Sequence, residues 1–139
     1  MNNIILASSS VYRKNLLNRL IPKFKIISPE VDESLILGEN AKITASRLAL
    51  IKAKKVSVLN KTAYVIGSDQ TAEFDNIQIK KPNNYDEALK QLLLLSDKRV
   101  NFYSAVCVIQ ETTNIKQEAI ELIEVKYKKI TEEQARTYL

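Results

Sequence analysis

The sequence predicts a mixed α/β domain in which helices flank a twisted, mixed sheet. Short apolar runs, typical of buried strands, alternate along the 139 residues with longer segments whose apolar residues recur every three or four positions. No repeat, low-complexity tract or Gly/Ser linker divides the chain. Because this length suits one hydrophobic core, we expect a single domain over residues 1–139.

The first half of the chain is predicted to alternate strands with helices. Three consecutive serines separate the first strand from the first helix, and an acidic, polar loop over 30–40 precedes the longest helical pattern. The predicted elements are strands at 3–7 and 24–27, helices at 11–20 and 41–59, and a strand at 63–67 that ends just before Asp69.

The second half is predicted to hold a hairpin, a helix, two antiparallel strands and a last helix. Asp75-Asn76 supplies the turn of the hairpin over 72–80. Thr131 and Gln134 have the spacing of a capping box, which marks the start of the last helix. The remaining elements are a helix at 85–95 and strands at 100–110 and 118–126.

The composition excludes several kinds of chemistry. The chain has no histidine, so Ser-His-Asp and Cys-His catalysis and histidine zinc sites are excluded. The single cysteine, Cys107, lies in an apolar run and is predicted to be a buried thiol. Two glycines are too few for a dinucleotide fingerprint or a P-loop. No apolar run is long enough to span a bilayer and no signal-peptide pattern opens the chain, so we expect a cytoplasmic protein.

Asp69 is the strongest candidate for a functional carboxylate. It follows an uninterrupted apolar strand, and ligand sites in α/β sheets gather at the carboxyl ends of strands. A carboxylate placed there can hold a divalent metal or take a proton from water. The alternative is that Asp69 only caps a turn before the hairpin.

Cationic and hydroxyl side chains elsewhere fit a phosphate ligand. Ser8-Ser9-Ser10 and Arg13 stand at a strand-to-helix junction, where the helix dipole favours an anion. The simpler interpretation is a helix cap followed by a solvated arginine. Lys52 and Lys81 would neutralise phosphate charge, and Asp32-Glu33 would supply further oxygens for a metal. The net charge of +5 is also compatible with a polyanionic partner.

Five ordered motifs resemble those of the Maf-like nucleotide pyrophosphatases, also described as septum-formation inhibitor homologues, whose fold is of the Maf/ITPase type with a central cleft. The motifs are Leu6-Ala7-Ser8-Ser9-Ser10 with Arg13, Ile27-Ser28-Pro29 with Val31-Asp32-Glu33, Arg47-Leu48-Ala49 with Lys52-Ala53, Ile66-Gly67-Ser68-Asp69-Gln70, and Lys81-Pro82. Val11 and Lys80 replace a proline and a glycine that are usual in the family.

The resemblance implies a hydrolase that splits a nucleoside triphosphate into monophosphate and pyrophosphate. Asp69 would accept the proton, and Mg²⁺ or Mn²⁺ would bind at Glu33 and Asp69. Tyr12 and Gln70 resemble the subgroup that acts on 7-methyl-GTP, where an aromatic face would attract the methylated, positively charged base. The other substrate-binding residues implied by the resemblance are Ser8, Ser9, Arg13, Lys52 and Lys81.

The resemblance also implies that family members continue beyond the equivalent of Leu139, through a segment that forms part of the pocket wall. A shortened domain predicts an exposed sheet edge, a fraying last helix and reduced or absent turnover. Two alternatives stay open. The shortened domain favours a catalytically impaired nucleotide-binding relative, and the positive charge alone suggests a small basic nucleic-acid-binding protein. The sequence leaves open whether the chain forms a homodimer.

Overall fold

A computed structural model describes residues 3–139 of the chain, so residues 1 and 2 of the predicted domain lie outside it. Helices and strands alternate in the first half, and the longest strands lie in the second half. The strands are β1 (Ile4–Ala7), β2 (Lys25–Ile26), β3 (Tyr64–Phe74), β4 (Ile77–Gln78), β5 (Arg99–Gln110) and β6 (Ile115–Lys126). The helices are α1 (Val11–Asn18), α2 (Ala41–Ser57), α3 (Tyr85–Leu95) and α4 (Glu132–Tyr138).

The strands form one mixed sheet in the order β2-β1-β3-β5-β6, with β4 paired to the end of β3. β1 runs parallel to both β2 and β3, whereas β3 with β5 and β5 with β6 are antiparallel. The mixed α/β class predicted from the sequence is therefore confirmed. In the part of the chain that the structure describes, β2 and β6 lie at the two edges of the sheet.

The core lies between α2 and the face of the sheet formed by β1, β3 and β5. The small residues Ala45, Ala49 and Ala53 recur every four positions along α2 and are at most 1% exposed. They pack with residues such as Val65 and Cys107, so the predicted burial of the cysteine is confirmed. Small side chains at this spacing let the helix backbone come close to the sheet.

Local sequence signals for the turn and the last helix are confirmed. Asp75 and Asn76 both have positive φ, the conformation that a two-residue hairpin turn requires and that these residue types tolerate. Thr131 caps α4 and Gln134 returns the hydrogen bond, which completes the capping box. α3 has the predicted bounds.

The predicted end of the third strand is wrong. β3 does not stop before Asp69 but continues to Phe74, so the third strand and the first strand of the predicted hairpin are one continuous strand. Only the parallel partner β1 ends at this level of the sheet, and the last pair between β1 and β3 joins Ala7 to Gly67. Antiparallel pairing with β5 keeps β3 extended from Val65 to Glu73.

No helix within residues 3–139 is long and apolar enough to cross a bilayer.

Candidate active site

A cleft of about 1150 Å³ opens beside β3, just beyond the point where β1 ends. One wall is formed by α2, and the opposite wall begins with the serine loop and Arg13 of α1. The loop that carries Glu33 and the segment that carries Lys81 complete its polar part. Asp69 lies in this cleft because the neighbouring strand stops at Ala7, not because β3 itself ends there.

The floor of the cleft holds an ammonium group between two carboxylates. Lys52 Nζ lies 2.7 Å from Asp69 Oδ1 and 2.8 Å from Glu33 Oε1. The side chains of Lys52 and Asp69 are each 10% exposed, whereas that of Glu33 is 57% exposed. Because a buried ammonium and a buried carboxylate each need a partner, Lys52 and Asp69 satisfy each other, and the more exposed Glu33 meets Lys52 from the solvent side.

Close packing of α2 on β3 sets the position of this pair. A Cβ atom added at Gly67 would lie 2.3 Å from the carbonyl oxygen of Ala49 and 2.6 Å from the backbone nitrogen of Ala53. Only glycine permits this approach of helix to strand. Lys52 lies between these two alanines in sequence and Asp69 lies two residues after Gly67, so the contact brings the two side chains together.

Arg47 anchors both ends of the segment that follows Glu33. Its Nε donates to both carboxylate oxygens of Glu39 at 2.9 Å, and its Nη2 donates to the carbonyl of Ser34 at 3.3 Å. Arg47 belongs to one of the motifs, but sequence reasoning gave it no role because its partners lie 8 and 13 residues away in the chain.

The serine loop both caps α1 and lines the cleft. Ser10 Oγ accepts a hydrogen bond from the backbone N–H of Arg13 at 3.2 Å, and Ser8 Oγ accepts one from the N–H of Ser10 at 3.1 Å. Ser8, Ser9 and Arg13 all face the cleft, so a cap and a cleft wall coexist in the same loop. This arrangement suits an anion above the start of the helix.

Two further residues singled out from the sequence lie outside the cleft wall. Tyr12 is 73% exposed and does not line the cleft, whereas Gln70 and Lys81 do. Asp32 accepts hydrogen bonds from the hydroxyl and the backbone N–H of Ser34, which lower the pKa of its carboxyl group. These bonds occupy Asp32 in a local turn of the loop.

Phe102 and Tyr127 also line the cleft, and sequence reasoning missed both. Burial raises the pKa of the Tyr127 hydroxyl, and the charge interaction with the nearby Tyr138 raises it further. Phe102 belongs to a predicted strand, but its contact with the cleft depends on how β5 pairs with β3, and no local pattern gives that register.

The donors in the cleft fit a metal ion that takes part of its coordination from the substrate. The described residues contain no cluster of three or more His, Cys, Asp or Glu side chains that could enclose a metal. Glu33 and Asp69 nevertheless converge on one cation, the Lys52 ammonium. Mg²⁺ commonly binds through one or two carboxylates together with phosphate oxygens and water, and this pair meets that need.

The fold and the cleft together define a mixed α/β protein whose charged pocket suits a phosphate ester or anhydride. The family model for "Maf-like protein" matches residues 3–139. The chain belongs to the Maf family, and the resemblance recognised from its motifs is confirmed.

Similar proteins agree with this assignment. The chain is 42% identical over 139 residues to a 7-methyl-GTP pyrophosphatase of Methylobacillus flagellatus, covering all of this chain and 72% of that protein. It is 38% identical to the protein of the same name from Nitrosospira multiformis, covering 98% of this chain and 69% of that one.

Solved structures show the same fold at low sequence identity. The Ham1 protein of Staphylococcus aureus superposes with a TM-score of 0.60 at 19% identity, over 90% of this chain and 71% of that one. A HAM1 protein from Coxiella burnetii gives the same TM-score at 16% identity, over 91% and 73%.

Proposed function

We propose that this protein hydrolyses a nucleoside triphosphate to the monophosphate and pyrophosphate, with a modified purine nucleotide such as 7-methyl-GTP as substrate. One observation carries the proposal: the Lys52–Asp69 pair, with Glu33 beside it, forms the floor of a cleft whose opposite wall is the serine loop and Arg13. The names of the 7-methyl-GTP pyrophosphatases at about 40% identity support this substrate class.

Asp69 is the proton acceptor in this proposal. A water molecule attacks the α-phosphorus with an oxygen lone pair, and its proton passes to the carboxylate of Asp69. The bond from the α-phosphorus to the oxygen that bridges to the β-phosphate breaks, and its electron pair leaves with pyrophosphate. Lys52 holds the carboxylate of Asp69 in place before the attack, since its Nζ lies 2.7 Å from Asp69 Oδ1.

The remaining charged groups neutralise the phosphates. Arg13 and the serine loop line the cleft on one side, and Lys81 lines it on another. Cations placed where negative charge builds up on the leaving pyrophosphate stabilise the transition state. Glu33 and Asp69 would hold Mg²⁺ or Mn²⁺ together with phosphate oxygens, and the metal would supply further neutralisation of that charge.

The remaining parts of the proposal concern the setting of the reaction. We treat residues 1–139 as one functional domain, because the residues of the proposed site come from elements spread over the chain from β1 to the segment after β4. A cytoplasmic location agrees with a nucleotide substrate and with the unpaired thiol of Cys107.

Replacing Asp69 with asparagine tests the function directly. We expect Asp69→Asn to lower kcat about a thousandfold while the Kd for nucleotide changes less than about threefold, because the amide keeps the shape but cannot accept the proton. Asp75→Asn is the matched control, since Asp75 lies in the exposed turn after β3 and asparagine tolerates its positive φ. Pyrophosphate release with 7-methyl-GTP, GTP and dTTP, with and without metal, measures the effect.

Two results would contradict the proposal. Equal loss of activity in Asp69→Asn and Asp75→Asn would exclude the assigned role. Nucleotide-dependent thermal stabilisation of the wild-type protein without pyrophosphate release would favour the non-catalytic nucleotide-binding relative.

A further inference from the structure

The cleft contacts both faces of β3, which is unusual for a strand inside a sheet. Asp69 and Thr71 project towards α2, as the contacts of Asp69 with Lys52 and of Thr71 with the carbonyl of Ala41 show. Gln70 lies between them and also lines the cleft. Because side chains alternate along a strand, Gln70 and Ala72 face the opposite side of the sheet.

A gap in strand pairing explains how one cleft contacts both faces. On the side of β3 away from β5, pairing with β1 ends at Gly67, and pairing with the hairpin strand β4 begins at Glu73. A hydrogen bond from Ile79 N to the carbonyl of Ala72 extends the hairpin by one step. Among the described residues, 68–71 therefore have no strand on that side, and the cleft continues around this free edge.

Phe102 lies on the far face at this point. It pairs directly with Ala72, and Ser104 pairs with Gln70, so Phe102 and Gln70 are diagonal neighbours on the same face. The small side chain of Ala72 leaves the Phe102 ring half-buried and open to the cleft. A flat aromatic ring next to an amide matches the two surfaces of a purine, its π face and its polar edge.

The charged and aromatic parts of the cleft thus lie on opposite sides of the free edge. Asp69 and Lys52 are on the α2 face. This inference rests on the proposed function, in which the phosphates bind on that face. We propose that the purine base crosses the free edge of β3 and binds on the far face, with its ring against Phe102 and its polar edge at Gln70. Tyr12 then does not hold the base.

The position of Tyr12 agrees with this placement. Its side chain is 73% exposed and does not line the cleft, so a base stacked on it would lie outside the enclosed volume. A base that carries a positive charge gains additional attraction from an aromatic face, and this attraction is stronger where water is partly excluded. Phe102 meets that condition and Tyr12 does not.

Binding of 7-methyl-GMP and GMP to the full chain tests the inference without requiring turnover. We expect Phe102→Leu to raise the Kd for 7-methyl-GMP about tenfold and that for GMP about threefold. Both ligands lose stacking on the ring, but only the positively charged base of 7-methyl-GMP also loses a cation–π attraction. Phe102→Tyr should keep the wild-type preference. Tyr12→Leu should leave both Kd values unchanged.

Tyr103→Leu is the matched structural control. Tyr103 follows Phe102 on the same strand, faces the core on the opposite side and does not line the cleft. Circular dichroism and thermal midpoints show whether each variant folds. A change in the ratio of the two Kd values separates base recognition from a general structural defect in β5. Such a defect would weaken the binding of both ligands by the same factor.

Each outcome of this comparison is decisive. The inference is overturned if Phe102→Leu and Tyr103→Leu have the same effect, if Tyr12→Leu alone abolishes the preference, or if the wild-type protein binds neither monophosphate. If 7-methyl-GMP binds and Phe102→Leu weakens it while no pyrophosphate is released from 7-methyl-GTP, the inference stands and the proposed function fails. If turnover occurs and Phe102→Leu leaves its KM unchanged, the function stands and the inference fails.

Discussion

The two helical walls of the cleft are built in different ways. α2 buries nine residues and packs so closely on β3 that Gly67 cannot carry a side chain. α1, by contrast, buries none of its residues, and its first turn is capped by Ser10. The wall that holds Lys52 is therefore part of the core, and the wall that carries Arg13 lies on the surface.

This difference separates two kinds of sensitivity to mutation. Changes in the α2 wall should alter stability and activity together, because the Lys52–Asp69 geometry depends on core packing. Changes in the α1 wall should alter ligand binding alone, because surface substitutions cost little stability. Each variant below tests one side of this comparison.

The largest effect is expected for Gly67→Ala, at the point where β3 contacts the α2 wall. The added Cβ would lie 2.3 Å from a backbone oxygen of α2, so the helix must move away and carry Lys52 with it. We expect the free energy of unfolding to fall by about 3 kcal/mol and nearly all turnover to be lost. Denaturant titration and pyrophosphate release measure the two effects.

Gly38→Ala is the control for this variant, because a Cβ there meets nothing within 4 Å and is strained only by its φ of +90°. We expect it to cost about 1 kcal/mol. Equal destabilisation by both substitutions would contradict the close-packing argument.

Arg13→Ala in the α1 wall should have the next largest effect on activity. Loss of a charged donor to phosphate should lower kcat/KM about tenfold or more, with an unchanged thermal midpoint because α1 buries nothing. Lys14→Ala, at the next and more exposed position, should retain full activity. A fall in the thermal midpoint of Arg13→Ala as large as that of Gly67→Ala would remove the distinction between the walls.

Arg47→Lys should have a smaller effect that is specific to the loop of Glu33. Lysine cannot reproduce the two hydrogen bonds to Glu39 and the one to Ser34, so the loop should hold Glu33 less firmly. We expect the metal concentration for half-maximal activity to rise about fivefold with little change in kcat at saturating metal. Arg19→Lys, at the end of α1, is the control, and a metal dependence unchanged from wild type would exclude this positioning role.

The smallest effect concerns the far end of α2 and is seen only in stability. Hydrogen bonds from Lys54 and then Ser57 lower the pKa of the Glu111 carboxyl group. A lowered pKa in the folded state stabilises the protein above the unfolded value of about 4.3, and this contribution is lost as the pH falls through the folded pKa.

Glu111→Gln should accordingly lower the thermal midpoint slightly at pH 7, and the difference from wild type should shrink as the pH is lowered below about 4. Thermal unfolding at several pH values checks this. A difference that stays constant with pH would show that the charge of Glu111 does not contribute.

Much of the fold and part of the site could be predicted from the sequence. The helix over 85–95, the Asp75-Asn76 turn and the capping box at Thr131 are local signals, and each is confirmed. The end of the third strand could not be predicted, because β3 stays extended through pairing with β5, a strand that begins 25 residues after β3 ends. Local strand propensity carries no information about which distant segment will pair with a strand.

The sequence by itself determined the residue types available for chemistry and the order of the main elements. With no histidine, proton transfer had to rest on carboxylates, lysine or tyrosine, and the five motifs were enough to identify the family. Only the tertiary structure decided that Asp69 and Glu33 converge on Lys52, that Tyr12 stays outside the cleft, and that Phe102 lines it. The physical reason is that these relations follow from the contact of α2 with Gly67 and from the register of β3 with β5, which are set by packing and pairing between distant segments.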